Sequence, residues 1–306
     1  MENLITNEYK IINTGTGETN TVYLKENEQF HIKKVVTEKE KTIINNKDEL
    51  KRTNKLLGGF IRVMYVENEL LFNRIGLDSS NVARVLYLAT YMDYENRNDG
   101  LLVKKVKRQP VPMTRKDLFE VMKLGNTPFK AFLSAMKKAG LLIEKEKLFY
   151  LNTKYFGKGE VNKKETYTRL YIDTTKTLYE GCTSRQHKQL GYILQLIPYA
   201  SYDLNMLEHE GKRLSIENMC ELLGLSTERK STSKLHNELK KFTFKLDGKE
   251  YYLFGMVVTN DFTGYCINPL ASYRGNDIRE MKTIIKLMLF NKTVEELNRT
   301  YRKKVK

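Results

Sequence analysis

A twelve-residue pattern occurs twice in the chain at a constant offset of 101. Met113-Thr114-Arg115-Lys116-Asp117-Leu118-Phe119-Glu120-Val121-Met122-Lys123-Leu124 aligns with Leu214-Ser215-Ile216-Glu217-Asn218-Met219-Cys220-Glu221-Leu222-Leu223-Gly224-Leu225, sharing a hydroxyl cap and four apolar positions. Unrelated amphipathic helices can match at four apolar positions. Duplication is the stronger reading, because the segments around each copy follow the same order.

In the first copy Thr114 has N-cap chemistry, with Asp117 three residues on, and opens a helix carrying Leu118, Val121 and Met122. Gly125-Asn126-Thr127-Pro128 reads as a stop and a fresh start, since Gly ends helices and Pro is tolerated in a first turn. The next helix places Phe129, Phe132, Leu133 and Met136 on one face and Lys130, Ser134, Lys137 and Lys138 on the others. Gly140 ends it. Residues 141–143 and 149–151 then frame a hairpin with Glu144-Lys145-Glu146-Lys147 at its tip. Helix, tight turn, helix, β-ribbon is the order of a winged helix-turn-helix.

In the second copy residues 184–197 supply a leading helix and Ser226 can cap a helix through Leu235 and Leu239. Residues 242–246 and 251–258 flank Asp247-Gly248, a strong hairpin signal, and residues 265–267 read as a third strand. The fold class expected is α+β. It comprises tandem winged helix-turn-helix domains at 58–165 and 166–275, an N-terminal β-containing extension and linker at 1–57, and a C-terminal helical basic tail at 276–306.

Elsewhere, alternation around Val22, Leu24, Phe30, Ile32, Val35 and Val36 predicts a strand pair, followed by a partly helical charged linker over 38–54. Residues 60–65 read as a strand, 66–75 as a short helix, and 81–94 as a helix capped by Asp78-Ser79-Ser80. Residues 101–106 read as a strand, after which Pro110 and Pro112 bracket a lead-in segment. Asp277 can cap a helix marked by Ile278, Met281, Ile285, Met288 and Leu289, and residues 293–301 form another before the basic end.

The charge is concentrated rather than scattered. With 53 Lys+Arg against 37 Asp+Glu, the 306-residue chain carries +16. Residues 1–50 are net −2, whereas 104–138 are net +8, 226–249 net +4 and 281–306 net +6. Such islands suit neutralisation of phosphates with release of their counterions; solvated faces are the plainer use. No apolar run reaches the ~18 residues of a membrane span. The first residues, Met1-Glu2-Asn3-Leu4, lack a signal-peptide pattern, so a soluble cytoplasmic protein without membrane partners is expected. Cys182, Cys220 and Cys266 form no CxxC and fit a reducing compartment.

In a winged helix the second helix of the turn enters the major groove, its N-terminal polar residues reaching base edges while lysines hold phosphates. The DNA-binding candidates in the first copy are Asn126, Thr127, Lys130, Ser134 and Lys137, with Arg115 and Lys116 at the start of the preceding helix. In the second they are Thr227, Arg229, Lys230, Ser231, Lys234 and Asn237, and the wings add Lys145, Lys147 and Lys249. Asn pairs with adenine and Arg with guanine in bidentate geometry, which singles out Asn126 and Arg229. The same residue types also serve as solvated caps and surface charges.

Enzymatic chemistry is hard to assemble. The four histidines (His31, His187, His209, His236) form no HxH or HExxH, and no Gly-x-x-x-x-Gly-Lys-Ser/Thr loop is present. Gly15-Thr16-Gly17-Glu18-Thr19 is too short and lacks the lysine. His187 and His236 read as packed or capping residues. A tyrosine nucleophile stays open among 19 tyrosines. No metal, cofactor or catalytic residue is assigned.

Gly59-Phe60-Ile61-Arg62-Val63-Met64-Tyr65, the helical pair after it, and Tyr150-Leu151-Asn152-Thr153-Lys154-Tyr155-Phe156-Gly157-Lys158-Gly159 resemble the core of RepL-type plasmid replication proteins of Firmicutes. The resemblance covers residues 58–160, with Thr153 where that family usually has Pro. The tandem arrangement is similar in architecture to plasmid initiators that bind iterated origin repeats as monomers and repress their own gene as dimers. Together these resemblances imply a plasmid or phage replication initiator that binds double-stranded DNA site-specifically. It would act by origin binding, bending and recruitment of host replication or transcription proteins, and a homodimer is compatible with it. A transcriptional regulator on the same fold, an adaptor whose second winged helix binds protein, and a nuclease are the alternatives.

Overall fold

The computed structural model describes residues 6–12, 19–25, 38–66, 69–70, 74–93, 100–158, 166–202, 204–258, 263–275 and 278–287. The chain divides into two compact units, Met1–Ile44 and Asn45–Lys306. In the first, strands β1 (Thr6–Ile12) and β2 (Thr19–Lys25) form an antiparallel ribbon with Tyr9 opposite Val22. The strand containing Val22 and Leu24 therefore pairs with the segment before it; residues 30–36, expected to take part, lie outside the described residues. Helix α1 (Glu38–Leu56) contains the division.

The second unit is mixed α+β with small antiparallel sheets. Strand β3 (Phe60–Val66) pairs with β4 (Glu69–Leu70), Tyr65 opposite Leu70. The short helix expected over 66–75 is thus replaced at its centre by strand, because Tyr65 and Leu70 bury themselves on one sheet face. Helix α2 (Ser79–Ala89) is capped by Asp78, whose Oδ1 accepts from the Asn81 N–H at 3.1 Å. It stops short of the expected residue 94: Thr90 Oγ1 donates to the Tyr87 carbonyl at 2.7 Å, and Met92 bridges to Leu102.

Strands β5 (Val103–Val106) and β6 (Gln109–Pro112) make a hairpin where only one strand and a lead-in were expected. Helices α3 (Arg115–Met122) and α4 (Asn126–Lys138) follow, then the hairpin of β7 (Leu142–Lys145) and β8 (Leu148–Leu151). Strand β9 (Phe156–Gly157) returns to β3, as does β10 (Tyr167–Tyr171), with Leu170 opposite Ile61. Helix α5 (Ile172–Glu180) leads to α6 (His187–Gln195) and a 3₁₀ turn at Ile197–Tyr199. A short hairpin of β11 (Glu208–His209) and β12 (Lys212–Arg213) precedes α7 (Ile216–Leu222) and α8 (Arg229–Leu239). The hairpin of β13 (Thr243–Leu246) and β14 (Lys249–Tyr252) comes next, then that of β15 (Phe254–Val258) and β16 (Thr263–Ile267), and finally α9 (Ile278–Leu287). The expected helix at 293–301 and the basic end lie outside the described residues.

The repetition extends to individual hydrogen bonds. Met113 N–H donates to the Leu102 carbonyl and Leu214 N–H to the Leu207 carbonyl, both at 2.9 Å. Asn152 N–H reaches the Leu141 carbonyl and Leu253 N–H the Phe242 carbonyl, again both at 2.9 Å. Leu102 N–H bonds to Phe149 at 2.8 Å, whereas its counterpart Leu207 bonds to Tyr265 of β16 at 2.7 Å, because the second copy places β15 and β16 after its hairpin. Residues 103–112 fill the gap between the paired anchors Leu102 and Met113. Only 208–213 fill the equivalent gap, so the first hairpin is longer by four residues.

A single buried cluster takes in Leu86, Phe132 and Phe149 from the first copy and Leu190, Leu235 and Phe244 from the second. At its centre Tyr179 of α5 lies between two rings, stacked on Tyr87 at 3.9 Å and on His187 at 4.2 Å.

Candidate nucleic-acid interface

The first copy is built on a capping box. Thr114 Oγ1 accepts from the Asp117 N–H, and Asp117 Oδ2 accepts from the Thr114 N–H at 2.8 Å. Asp117 is also ion-paired with Lys104 of β5, which fastens the preceding hairpin to α3. Burial would raise the Asp117 pKa, but Lys104 and the Thr114 donors outweigh it and hold the carboxyl at about 2. Gly125 does not end α3 as expected: the left-handed residue there is Lys123, with φ 51°, and Gly125 is the N-cap of α4.

Helix α4 buries Phe129, Phe132, Leu133 and Met136. Asn126, Thr127, Lys130, Ser134 and Lys137 are exposed on its other faces, as are Arg115 and Lys116 at the start of α3. Lys137 is less free than expected, since it pairs with Glu144 of β7 and sits 5.8 Å from the Phe149 ring centroid. It binds helix to hairpin. Lys145 lies 5.9 Å from the Tyr150 ring centroid, and Lys147 stands exposed at the hairpin turn with φ 66°.

The second copy repeats the box, Ser215 and Asn218 exchanging two bonds of 3.2 Å. Ser226 is not the cap of α8 as expected. Its Oγ accepts from the Glu228 N–H at 3.2 Å, and Glu228 occupies the N-cap with no side-chain bond of its own. Thr227, Arg229, Lys230, Lys234, Asn237 and Lys249 are exposed. Ser231 is half-buried, lining with Lys188, Tyr192 and Lys234 a cleft of about 210 Å³ between α6 and α8. Acidic side chains temper this surface, Glu238 pairing with Lys241 at 3.8 Å.

The cations at the start of the 104–138 island stand on the β5–β6 hairpin rather than on a strand and lead-in. The hairpin carries Lys104, Lys105, Lys107 and Arg108 with no acid, whereas 208–213 of the second copy carries Lys212 and Arg213 against Glu208 and Glu210. Its turn residues Lys107 and Arg108 have φ of 49° and 71°, a type I′ turn without the usual Asn or Gly. All four hairpin turns that bracket the helix pairs are of this type, with φ positive at Glu146 and Lys147, at Glu210 and Gly211, and at Asp247 and Gly248. Where the first copy holds Arg108, Lys123 and Lys147 in the left-handed region, the second holds Gly211, Gly224 and Gly248. A left-handed backbone costs an L-residue roughly 1–2 kcal/mol, so the first copy keeps its cations against a local penalty.

Comparison of the chain with protein-family models, with curated proteins and with solved structures gives no match. The candidate interface therefore rests on its own geometry. Among the described residues no group of three His, Cys, Asp or Glu side chains gathers as a metal site, and no helix is long and apolar enough to cross a membrane.

One further polar cluster lies apart from the helix pairs. Arg274 donates to the carbonyls of Pro198 (3.0 Å) and Ala200 (2.6 Å) and to the Tyr65 hydroxyl, and its guanidinium stacks 4.2 Å from the Tyr202 ring centroid. The hydrogen bond with Tyr65 and the nearby Arg274 hold the Tyr202 phenol below its usual range against burial. With Arg274 engaged in these bonds, the cluster ties β3 to the 3₁₀ turn.

Proposed function

We propose that the chain is a sequence-specific double-stranded DNA-binding protein built from tandem winged helices, residues 58–165 and 166–275, and that α4 and α8 are its recognition helices. One observation carries this reading: the two helices hold equivalent places, each after a boxed helix and before a type I′ hairpin, and each turns its cations outward. Lysines would hold phosphates, Asn126 an adenine edge and Arg229 a guanine edge. Two such helices in one chain can read major-groove segments about one helical turn, ~10 bp, apart without dimerisation.

The resemblance of residues 58–160 to RepL-type proteins favours the role of plasmid or phage replication initiator, acting by origin binding and recruitment rather than by bond-breaking. A second reading has a specific support. The β11–β12 hairpin is charge-balanced and the turns of the second copy are glycine, which suits an adaptor whose second winged helix docks protein. Selection of bound sequences from random duplex DNA tests both. Two half-sites in one monomer footprint support tandem recognition. A single half-site, unaffected by Arg229→Ala with Lys230→Ala, supports the adaptor. Affinity that stays flat between 50 and 200 mM salt, rather than falling by on the order of 10³, removes the DNA reading.

A further inference from the structure

We infer that Arg108, Lys123 and Lys147 form a clamp on the DNA sugar-phosphate backbone, separate from the recognition face of α4 and present only in the first copy. The inference rests on the duplex-binding reading above, which already counts Lys147 of the wing, and adds Arg108 and Lys123, which that reading does not assign.

The argument starts from what the turns need. At Gly211, Gly224 and Gly248 an added Cβ would meet no atom within 4 Å, so space does not demand glycine there; the left-handed backbone does. The same backbone recurs in the first copy with long cationic side chains, and nothing inside the protein employs them. All three are exposed, and among the described residues none forms an ion pair or lies over an aromatic ring. Lys104 and Lys137 nearby contrast with them, each consumed by a carboxylate of the fold.

The exchange runs the other way at one left-handed position, Gly100 in the first copy and Asn205 in the second. There the side chain has internal employment: Asn205 is fully buried and its amide donates to the Ile267 and Ser272 carbonyls at 2.9 and 2.7 Å. A cation that lacks internal employment and occupies this costly backbone where the other copy uses glycine points to a partner outside. Three cations at successive turns, before α3, between α3 and α4, and after α4, fit a polyanion that passes along the helix pair. The extra four residues of the β5–β6 hairpin carry Arg108 further from the helices than Gly211 is carried in the second copy.

Glycine substitution separates binding from folding, because it relieves the backbone while removing the charge. In the full chain, Arg108→Gly, Lys123→Gly and Lys147→Gly, singly and combined, are compared for thermal midpoint and for anisotropy titration of a labelled mixed-sequence DNA duplex across a salt series. The midpoint should hold or rise. Affinity should fall, and the slope of log affinity against log salt should shrink by about 0.9 per substitution, approaching 2.7 for the triple variant. Asparagine at the same positions, which also tolerates this backbone, should reproduce the loss. An unchanged affinity and slope in the triple variant, with the unaltered chain binding normally, overturns the clamp and leaves the duplex reading standing. No binding by the unaltered chain at low salt overturns both.

Discussion

Ser79 and Gly191 bring the leading helices of the two copies into backbone contact: a Cβ built on Gly191 would stand 1.6 Å from the Ser79 carbonyl oxygen. Glycine at this crossing lets α2 and α6 approach as equivalents, and the crossing fixes how the two copies are placed about each other. Gly191→Ala should therefore destabilise the protein by about 3 kcal/mol, at the upper end of overpacking effects, because the obstruction is backbone that cannot rotate aside. Urea unfolding measures it. A midpoint equal to that of the unaltered chain would mean that the helices do not cross this closely.

Asn205 offers a test with two separable parts. It combines a left-handed backbone, φ 55°, with two buried amide bonds. Asn205→Gly keeps the backbone but leaves the Ser272 carbonyl without this donor and the Ile267 carbonyl with only the long Cys266 Sγ contact at 3.5 Å, for a loss of about 2 kcal/mol. Asn205→Ala loses the bonds and strains the backbone as well, so a further 1 kcal/mol or so is expected. Equal losses in the two variants would show that the torsion carries no cost there.

His187 should make stability fall in mild acid. Burial, and then the nearby Arg84 charge, depress its pKa to about 4, and its Nδ1 is buried without a hydrogen-bond partner. Between its unfolded value of 6.5 and about 4, the unfolded chain takes up a proton that the folded chain refuses. Stability is complete above that window, declines as pH drops through it and levels off below, a loss on the order of 3 kcal/mol. His187→Phe preserves a ring against Tyr179 and should flatten this part of the profile. Were the decline identical in the variant, another group would be responsible.

Local chemistry explains which parts of this fold the sequence made legible. The Thr114 and Ser215 boxes, the Asp247-Gly248 turn and the amphipathic α4 each depend on neighbours within four residues, and each was found where expected. Lys107-Arg108 was invisible as a turn because its residue types signal nothing about positive φ; only the matching bonds at Leu102 and Leu207 reveal its kinship with Glu210-Gly211. Helix α5 stands where the sequence pattern predicts no element. Its Ile-Asp-Thr-Thr-Lys-Thr-Leu-Tyr-Glu sequence has weak helix propensity, and what holds it is distant: Thr174 Oγ1 donates to the Leu270 carbonyl at 2.7 Å and Tyr179 stacks between Tyr87 and His187. For the interface, the candidates on α4 are exposed as expected, but Lys137 is diverted to Glu144 and Ser231 to the α6–α8 cleft through contacts that no single segment encodes.

Asn126 and Lys130 provide the sharpest division of labour to test. Both are exposed on the first turns of α4, one with an amide able to pair with N6 and N7 on the major-groove edge of adenine and the other with a point charge suited to phosphate. Asn126→Ala should cost about 1–3 kcal/mol on a selected site, relax preference at one base pair, and leave binding to unrelated duplex nearly intact. Lys130→Ala should weaken selected and unrelated duplexes alike and reduce the salt slope by about 0.9. Parallel titrations of both variants on a selected and a scrambled duplex read these outcomes directly. If Asn126→Ala weakened both duplexes equally, the amide would be holding backbone and the base-reading residue would lie elsewhere on the helix.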